Sequence, residues 1–167
     1  MGVEALPRRP RLAGVLVAEG PWAAQANASE AVALAGGPPA RGVDADGLTE
    51  GVEAAAVRLL AAGARAVAVM GEVDLVAMPE GLSRLDVGAP ALGRVVGSGC
   101  LASAAVAAGL GTGLAPGTAA LALLGLADER ATEGDPGPGT FRARWMDALS
   151  EGEGILAAGW EARRLQA

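Results

Sequence analysis

The sequence contains no histidine, no lysine and no tyrosine, so every basic side chain is an arginine. These absences exclude a Ser-His-Asp or Cys-His catalytic pair, a histidine metal site, a Schiff-base lysine and the lysine of a P-loop. The abundance of Ala, Gly and Arg also fits a simple compositional bias. Any functional site must therefore use carboxylates, arginines, a thiol, hydroxyls, backbone amides or a bound metal ion.

A single cysteine, Cys100, excludes an intramolecular disulfide, and the N-terminus lacks an apolar signal core. Both features predict a reducing, cytoplasmic setting. The formal net charge of -6 argues against a nucleic acid or an anionic membrane surface as the main partner. Any phosphate group that the protein binds must then be held by a local site.

Residues 95–127 carry no charged side chain, which superficially suggests a membrane span. The stretch "GLGTGLAPG" interrupts this run, and Gly and Ala stand where Leu, Ile and Phe would be expected. We therefore predict two short buried helices and no membrane span. A chain of 167 residues fits one domain with a real core, and no internal repeat or long linker divides it.

The first part of the chain alternates helical and extended patterns. The helical spacing of Leu12, Val15 and Leu16 predicts a short N-terminal helix that ends near Gly20-Pro21, and "WAAQA" at 22–26 predicts a brief strand. In "NASEAVALAGG", Asn27 is the predicted cap of a second helix.

A longer amphipathic helix follows, for which Thr49 is the predicted N-cap and Gly63 the predicted end. The apolar run Ala66–Met70 is typical of a buried strand, and the next stretch predicts a hairpin or sheet edge. "PGTAALALLGLADERATE" is predicted helical, and the C-terminal stretch is predicted helical at first and fraying toward its end. A helix followed by a buried strand is the alternation of an α/β protein.

The stretch "VVGSGCLASAAVAAG" at 95–109 is the first candidate site. If Gly97 or Ser98 caps a helix that begins near Gly99, its first backbone amides and the helix dipole form an anion site that needs no lysine. Cys100 would lie in the first turn, where the dipole favours a thiolate. This arrangement suits phosphoryl transfer. The alternative is a close-packed helix start with a small buried cysteine.

Two other stretches place polar groups where strands end. In "NASE", Asn27 and Glu30 could hold a magnesium ion through water or position a phosphate, and the alternative is a plain capping box. In "VMGEVD", Glu72 and Asp74 follow a buried strand, where the ligand loops of open α/β sheets gather. The alternative there is an acidic hairpin turn that faces water.

Taken in order, "NASEAVALAGG", "VAVMGEVDLV", "VVGSGCLASAAVAA" and "GPGTFRARWMDAL" resemble hydroxyethylthiazole kinase, a thiamine-salvage enzyme, over residues 2–149. The resemblance implies an α/β, ribokinase-like layered sheet with flanking helices. Family members extend well beyond this N-terminus, so residues 1–167 would form one partial kinase domain. The implied reaction is Mg²⁺-dependent transfer of the ATP γ-phosphate to the hydroxyl of 4-methyl-5-(2-hydroxyethyl)thiazole. A homotrimer with its thiazole sites between subunits is also implied.

The resemblance also assigns roles to the residues of the first candidate site. It makes Gly97, Ser98 and Gly99 the anion hole, with Gly97 also contacting the substrate. It places Cys100 beside the accepting hydroxyl, as the catalytic residue, where related sugar kinases have an aspartate base.

Further positions match the ATP side of the family pattern, with some departures. Asn27 and Glu30 match the phosphate and magnesium motif, with Glu30 as the metal position. Gln25 stands where the family has an arginine that contacts ATP, and Met70 where it has a threonine in the ATP strand. Val96 replaces a further threonine before the anion hole.

These departures leave two hypotheses. The first is a thiazole kinase whose N-terminal part lies outside this sequence. The second is a degenerate, catalytically silent relative that binds a nucleotide or another subunit. Under both hypotheses the sheet is incomplete, which predicts an exposed apolar edge.

Overall fold

A twisted sheet between two layers of helices organises the computed structural model, which describes residues 9–37, 45–111, 118–156 and 164–166. Within these ranges the sheet has five strands in sequence order: β1 (Ala24–Asn27), β2 (Val67–Met70), β3 (Asp74–Met78), β4 (Gly81–Leu85) and β5 (Arg164–Gln166). The helices are α1 (Arg9–Ala18), α2 (Ala28–Leu34), α3 (Ala45–Ala61), α4 (Ser98–Gly111), α5 (Thr118–Thr132), α6 (Pro138–Ser150) and α7 (Glu153–Leu156).

The first two strands are parallel and the others are antiparallel to their neighbours. In the β1–β2 pair, Ala24 lies opposite Val67 and Asn27 lies opposite Met70. The helices α2 and α3 connect these two strands, as a parallel pair requires a crossover. Tight turns connect β2 to β3 and β3 to β4. The predicted buried strand, the hairpin and the α/β class are therefore confirmed.

The two faces of the sheet pack against different helices. Val67 and Val69 belong to the core with α1, α2 and α3, whereas Ala68 belongs to the core with α4, α5 and α6. This alternation follows from the two-residue period of a strand. On β1, Ala24 and Ala26 face the first core, so Gln25 faces the α4 side.

The predicted N-terminal helix is present and ends at Ala18, shortly before Gly20. Val15 and Leu16 are each 58 % exposed, and Val17 is the residue buried in the core. The end of α1 lies close to the backbone at Gly63, because a Cβ added at Gly63 would lie 2.8 Å from the Val17 carbonyl oxygen.

Three element boundaries differ from the sequence predictions. Helix α3 begins at Ala45, so Thr49 lies inside the helix and is not its cap. Strand β1 runs from Ala24 to Asn27 because its ladder with β2 starts only at Ala24. The C-terminal stretch contains strand β5, which pairs with β4 through the backbone. Such tertiary pairing overrides the weak preference of the local sequence.

Strand β1 leaves one edge of the sheet open. Its apolar residues Ala24 and Ala26 are partly or fully buried, so the strand itself does not show the predicted exposed apolar edge. Within the described residues, β1 is the edge strand of the sheet and pairs with β2 alone. Trp22, just before β1, is exposed, with the Arg65 guanidinium carbon 4.4 Å from its ring centroid. Among the described helices, none is both long and apolar enough to cross a membrane.

Two glycine-to-alanine substitutions should have opposite effects on the free energy of unfolding. A Cβ at the buried Gly125 of α5 would lie 2.6 Å from Val87 Cγ2, so Gly125→Ala should destabilise by about 1–3 kcal/mol. The matched control is the exposed Gly51 of α3, which has open space at its Cβ position. Gly51→Ala should stabilise by about 0.5–1 kcal/mol. Urea unfolding measures both, and equal midpoints would contradict this packing.

Candidate functional site

Helix α4 begins where the sequence predicts. Ser98 is its first residue, and the Leu101 amide donates to the Gly97 carbonyl oxygen at 3.0 Å. Gly97 has φ +98°, a backbone conformation that favours glycine. The amides of residues 97–100, which we call the α4 cup, precede the first intrahelical donors and need partners from outside the helix.

The α4 cup is open to solvent. Gly97, Gly99 and Cys100 are exposed, and no atom lies within 4 Å of a Cβ position at either glycine. Of the two readings of this stretch, the structure therefore contradicts a buried cysteine and a sealed helix start. An anion can therefore reach this helix end, where the helix dipole favours a negative charge.

The carboxyl ends of β1 and β2 meet at one edge of the sheet. Asn27 and Met70 are direct partners in the parallel register. Met70 packs against the core that contains α4, and Gln25 lies on the same face. The Gln25 Oε1 accepts a hydrogen bond from Ser103 Oγ of α4 at 2.6 Å. The structure thus joins the predicted ATP-side residues to the helix that carries the α4 cup.

Asn27 and Glu30 form a complete capping box at the start of α2. The Asn27 Oδ1 accepts from the Glu30 amide at 2.9 Å, and the Glu30 Oε2 accepts from the Asn27 amide at 3.1 Å. The Ser29 hydroxyl also donates to Asn27 Oδ1. The capping alternative is therefore present in the fold. Among the described residues, no group of three or more acidic, Cys or His side chains is placed to hold a metal.

The two acidic residues after β2 have different surroundings. Glu72 is exposed, as a hairpin turn facing water predicts. Asp74 is only 7 % exposed, and its Oδ1 accepts from the Gly71 amide at 3.0 Å. Burial raises the pKa of Asp74 to about 7, and the nearby Asp128 carboxylate adds to this rise, while the Gly71 hydrogen bond opposes it. Asp74 therefore shapes the turn at the end of β2.

Sequence reasoning missed two acidic residues of α5. Asp128 Oδ2 accepts from the Ala89 amide, and Glu129 Oε1 accepts from the Gly88 amide at 2.9 Å. Burial raises the pKa of Asp128 to about 6, against the lowering effect of the Ala89 amide. A short 3-10 helix at Pro90–Arg94 links this loop to α4. Helix α5 thus anchors the loop that leads to the α4 cup.

The whole-chain comparisons agree with this architecture. Residues 1–152 match the model of the hydroxyethylthiazole kinase family. The chain belongs to this family.

Individual members of the hydroxyethylthiazole kinase family show how much of the protein is covered. The Clavibacter sepedonicus hydroxyethylthiazole kinase is 40 % identical over 153 residues, which are 89 % of this chain and 56 % of that protein. The Rubrobacter xylanophilus kinase is 40 % identical over 156 residues, 90 % of this chain and 58 % of the relative. This chain spans a little over half the length of such relatives.

Solved structures extend the agreement to the fold. The hydroxyethylthiazole kinase of Pyrococcus horikoshii OT3 superposes with a TM-score of 0.77 at 27 % identity, covering 92 % of this chain and 58 % of that one. A Staphylococcus aureus pyridoxal kinase gives a TM-score of 0.61 at 21 % identity, covering 77 % of this chain and 50 % of that one, which supports the fold alone. The predicted ribokinase-like α/β fold, incomplete relative to its neighbours, is confirmed.

The pKa of Asp74 predicts a pH-dependent free energy of unfolding. An unfolded Asp ionises near pH 3.8, whereas folded Asp74 keeps its proton until about pH 7. Between these values the folded state binds more protons, so its stability should fall as the pH rises. The wild-type Tm should be at least about 5 °C lower at about pH 8 than at about pH 5.

Two variants isolate this contribution. Asp74→Asn should make the decrease in Tm between about pH 5 and about pH 8 smaller. Asp128, whose pKa is also raised, should account for the decrease that remains. Glu72→Gln changes an exposed carboxylate of the same turn and should keep the wild-type dependence. An Asp74→Asn profile parallel to the wild type would show that burial of this carboxyl is not responsible.

Proposed function

We propose that this chain carries the phosphoryl-transfer part of a hydroxyethylthiazole kinase. In the proposed reaction, the hydroxyl oxygen of 4-methyl-5-(2-hydroxyethyl)thiazole attacks the γ-phosphorus of ATP. The new P–O bond forms as the bond to the ADP oxygen breaks. The observation that carries this proposal is the solvent-open α4 cup beside the carboxyl ends of two parallel strands, in a chain of this family.

The α4 cup would bind the transferred phosphoryl group through Gly97, Ser98 and Gly99. Phosphoryl transfer depends chiefly on positioning and on stabilising charge at the phosphoryl oxygens. Free amides at a helix N-terminus supply both without a cationic side chain. This matters because residues 95–127 contain no charged side chain. Gly97 would also contact the thiazole substrate.

Cys100 would accept the proton of the attacking hydroxyl. Its side chain lies in the first turn of α4 and is exposed, so a small alcohol can approach it. The Cys100 side chain lies at the positive end of the α4 dipole, beside the amides that would bind the phosphoryl group. The same dipole stabilises charge on the neighbouring phosphoryl group.

The ATP phosphates would lie along Gln25, Asn27 and Met70. Asn27 and Met70 are the last residues of β1 and β2, and Gln25 of β1 contacts Ser103 of α4. Gln25 stands where the family has an arginine that contacts ATP. Its side-chain amide would donate a neutral hydrogen bond to a phosphate in place of that charged contact.

Glu30 fits a magnesium ion held jointly with nucleotide phosphates. The capping box fixes its carboxylate at the strand end, and the Asn27 amide uses only part of its acceptor capacity. One carboxylate with several waters is a donor set that Mg²⁺ accepts, although it would not suffice for an all-protein cage. When bound, Mg²⁺ would neutralise negative charge of the nucleotide phosphates.

We further propose that the complete protein acts in the cytoplasm as a homotrimer. Support comes from the resemblance to the family and from exposed apolar side chains, including Val15 and Leu16, which suit a contact with another polypeptide surface.

The direct test is ATP-dependent phosphorylation of the thiazole alcohol by the purified complete protein with Mg²⁺. Cys100→Ala should lower kcat by about 100-fold or more because it removes the proton acceptor. Glu30→Ala should raise the KM for Mg·ATP by about 10-fold. The control is Glu80→Ala, an exposed glutamate in the turn at the opposite end of the sheet, which should match the wild type.

Two results would contradict the proposal. Turnover that is indifferent to both Cys100→Ala and Glu30→Ala would exclude this site. ATP binding by the complete protein without any turnover of the alcohol would identify a catalytically silent relative instead.

A further inference from the structure

Ser103 connects helix α4 to strand β1 through a side-chain hydrogen bond. It lies one helical turn after Gly99, on an exposed part of α4. Its Oγ is 2.6 Å from Gln25 Oε1 and 3.1 Å from the Gly99 carbonyl oxygen. A single side chain therefore contacts both the strand and the first turn of the helix.

The contact with Gly99 bears directly on the α4 cup. The Gly99 carbonyl and the Cys100 amide belong to one planar peptide group, and Ser103 Oγ lies beside this carbonyl oxygen. The single hydroxyl proton of Ser103 is donated to Gln25 at 2.6 Å, so this hydrogen bond links the first turns of α4 to strand β1. The other predicted ATP-side residues lie at the end of this strand and its neighbour.

The apolar packing of α4 constrains the position of this helix only weakly, so a hydrogen bond can add to the constraint. The described residues that α4 buries are Ala102 and Val106, with Leu101 and Ala105 partly buried. Small side chains form shallow ridges, which constrain the position of a helix along its axis less than large interdigitated ones. A directional hydrogen bond to the strand supplies a constraint that methyl groups do not.

We propose that Gln25 and Ser103 are a positioning pair that aligns the α4 cup with the carboxyl ends of β1 and β2. Neither side chain needs to touch the reacting atoms for this role. The proposal rests on the proposed function for the identity of the anion, a phosphate group. It assigns a role to Ser103 and gives Gln25 a second one besides lining the ATP site.

The single cysteine makes the geometry of the α4 cup measurable without turnover. Neutral iodoacetamide alkylates Cys100, and inorganic pyrophosphate bound in the α4 cup should slow this alkylation in the wild-type chain. Ser103→Ala should raise the pyrophosphate concentration for half-protection by about 3- to 10-fold, the effect of losing a typical hydrogen bond. Ser103→Thr keeps the hydroxyl and should restore the wild-type value.

A double variant and a matched control complete the experiment. Gln25→Leu with Ser103→Ala should be no worse than the weaker-binding single variant, because both remove the same contact. Ser150→Ala, an exposed serine near the end of α6 whose hydroxyl donates to the Asp147 carbonyl oxygen, should behave as wild type. Circular dichroism verifies that each variant is folded.

The outcomes separate this proposal from the proposed function. Unchanged half-protection in Ser103→Ala, no rescue by Ser103→Thr, or a wild type that pyrophosphate does not protect would each overturn the positioning pair. Protection of the wild type and the predicted shift in Ser103→Ala, together with a complete protein that phosphorylates no thiazole alcohol, would overturn only the proposed function.

Discussion

The first turn of α4 offers a phosphate group peptide N–H groups and no charged side chain of its own. Residues 95–127 supply no charge, and the chain has neither lysine nor histidine. Backbone donors cannot be moved by a side-chain rotation, so their direction depends on where the helix begins and how it sits on the sheet. The position of α4 is therefore the constraint on which the site depends.

The remaining structure can be understood as support for that position. From below, the two-residue alternation of β1 and β2 turns Gln25 and Met70 toward α4 and the valines of β2 toward the opposite core. From the side, Asp128 and Glu129 of α5 hold the amides of the loop that leads into α4. Asp128 and Glu129 thus fix the loop before a helix end that carries no charged side chain itself.

Local signals made part of this structure predictable. The start of α4, the Asn27–Glu30 capping box and strand β2 each depend on neighbouring residues in the sequence, and each lies where predicted. The burial of Val17 in α1 was not predicted, because the backbone of α1 there lies against Gly63, far along the chain. Strand β5 was missed for the same kind of reason, since its pairing with β4 is long-range.

The unpredicted part of the site has a common physical origin. Gln25 and Ser103 are 78 residues apart, and Ala89 and Asp128 are 39 apart. No periodicity or capping rule links such residues, because only the folded sheet brings them together. The sequence could therefore indicate which chemical groups a phosphate site would use, but not which contacts orient them.

The most direct test of the α4 cup is an NMR titration of the ¹⁵N-labelled chain with Mg·ATP. Direct phosphate binding by peptide donors predicts that the amide resonances of Gly97, Ser98, Gly99 and Cys100 shift the most and saturate together. Resonances of these four amides that stay unchanged while ATP binds elsewhere on the protein would contradict the account.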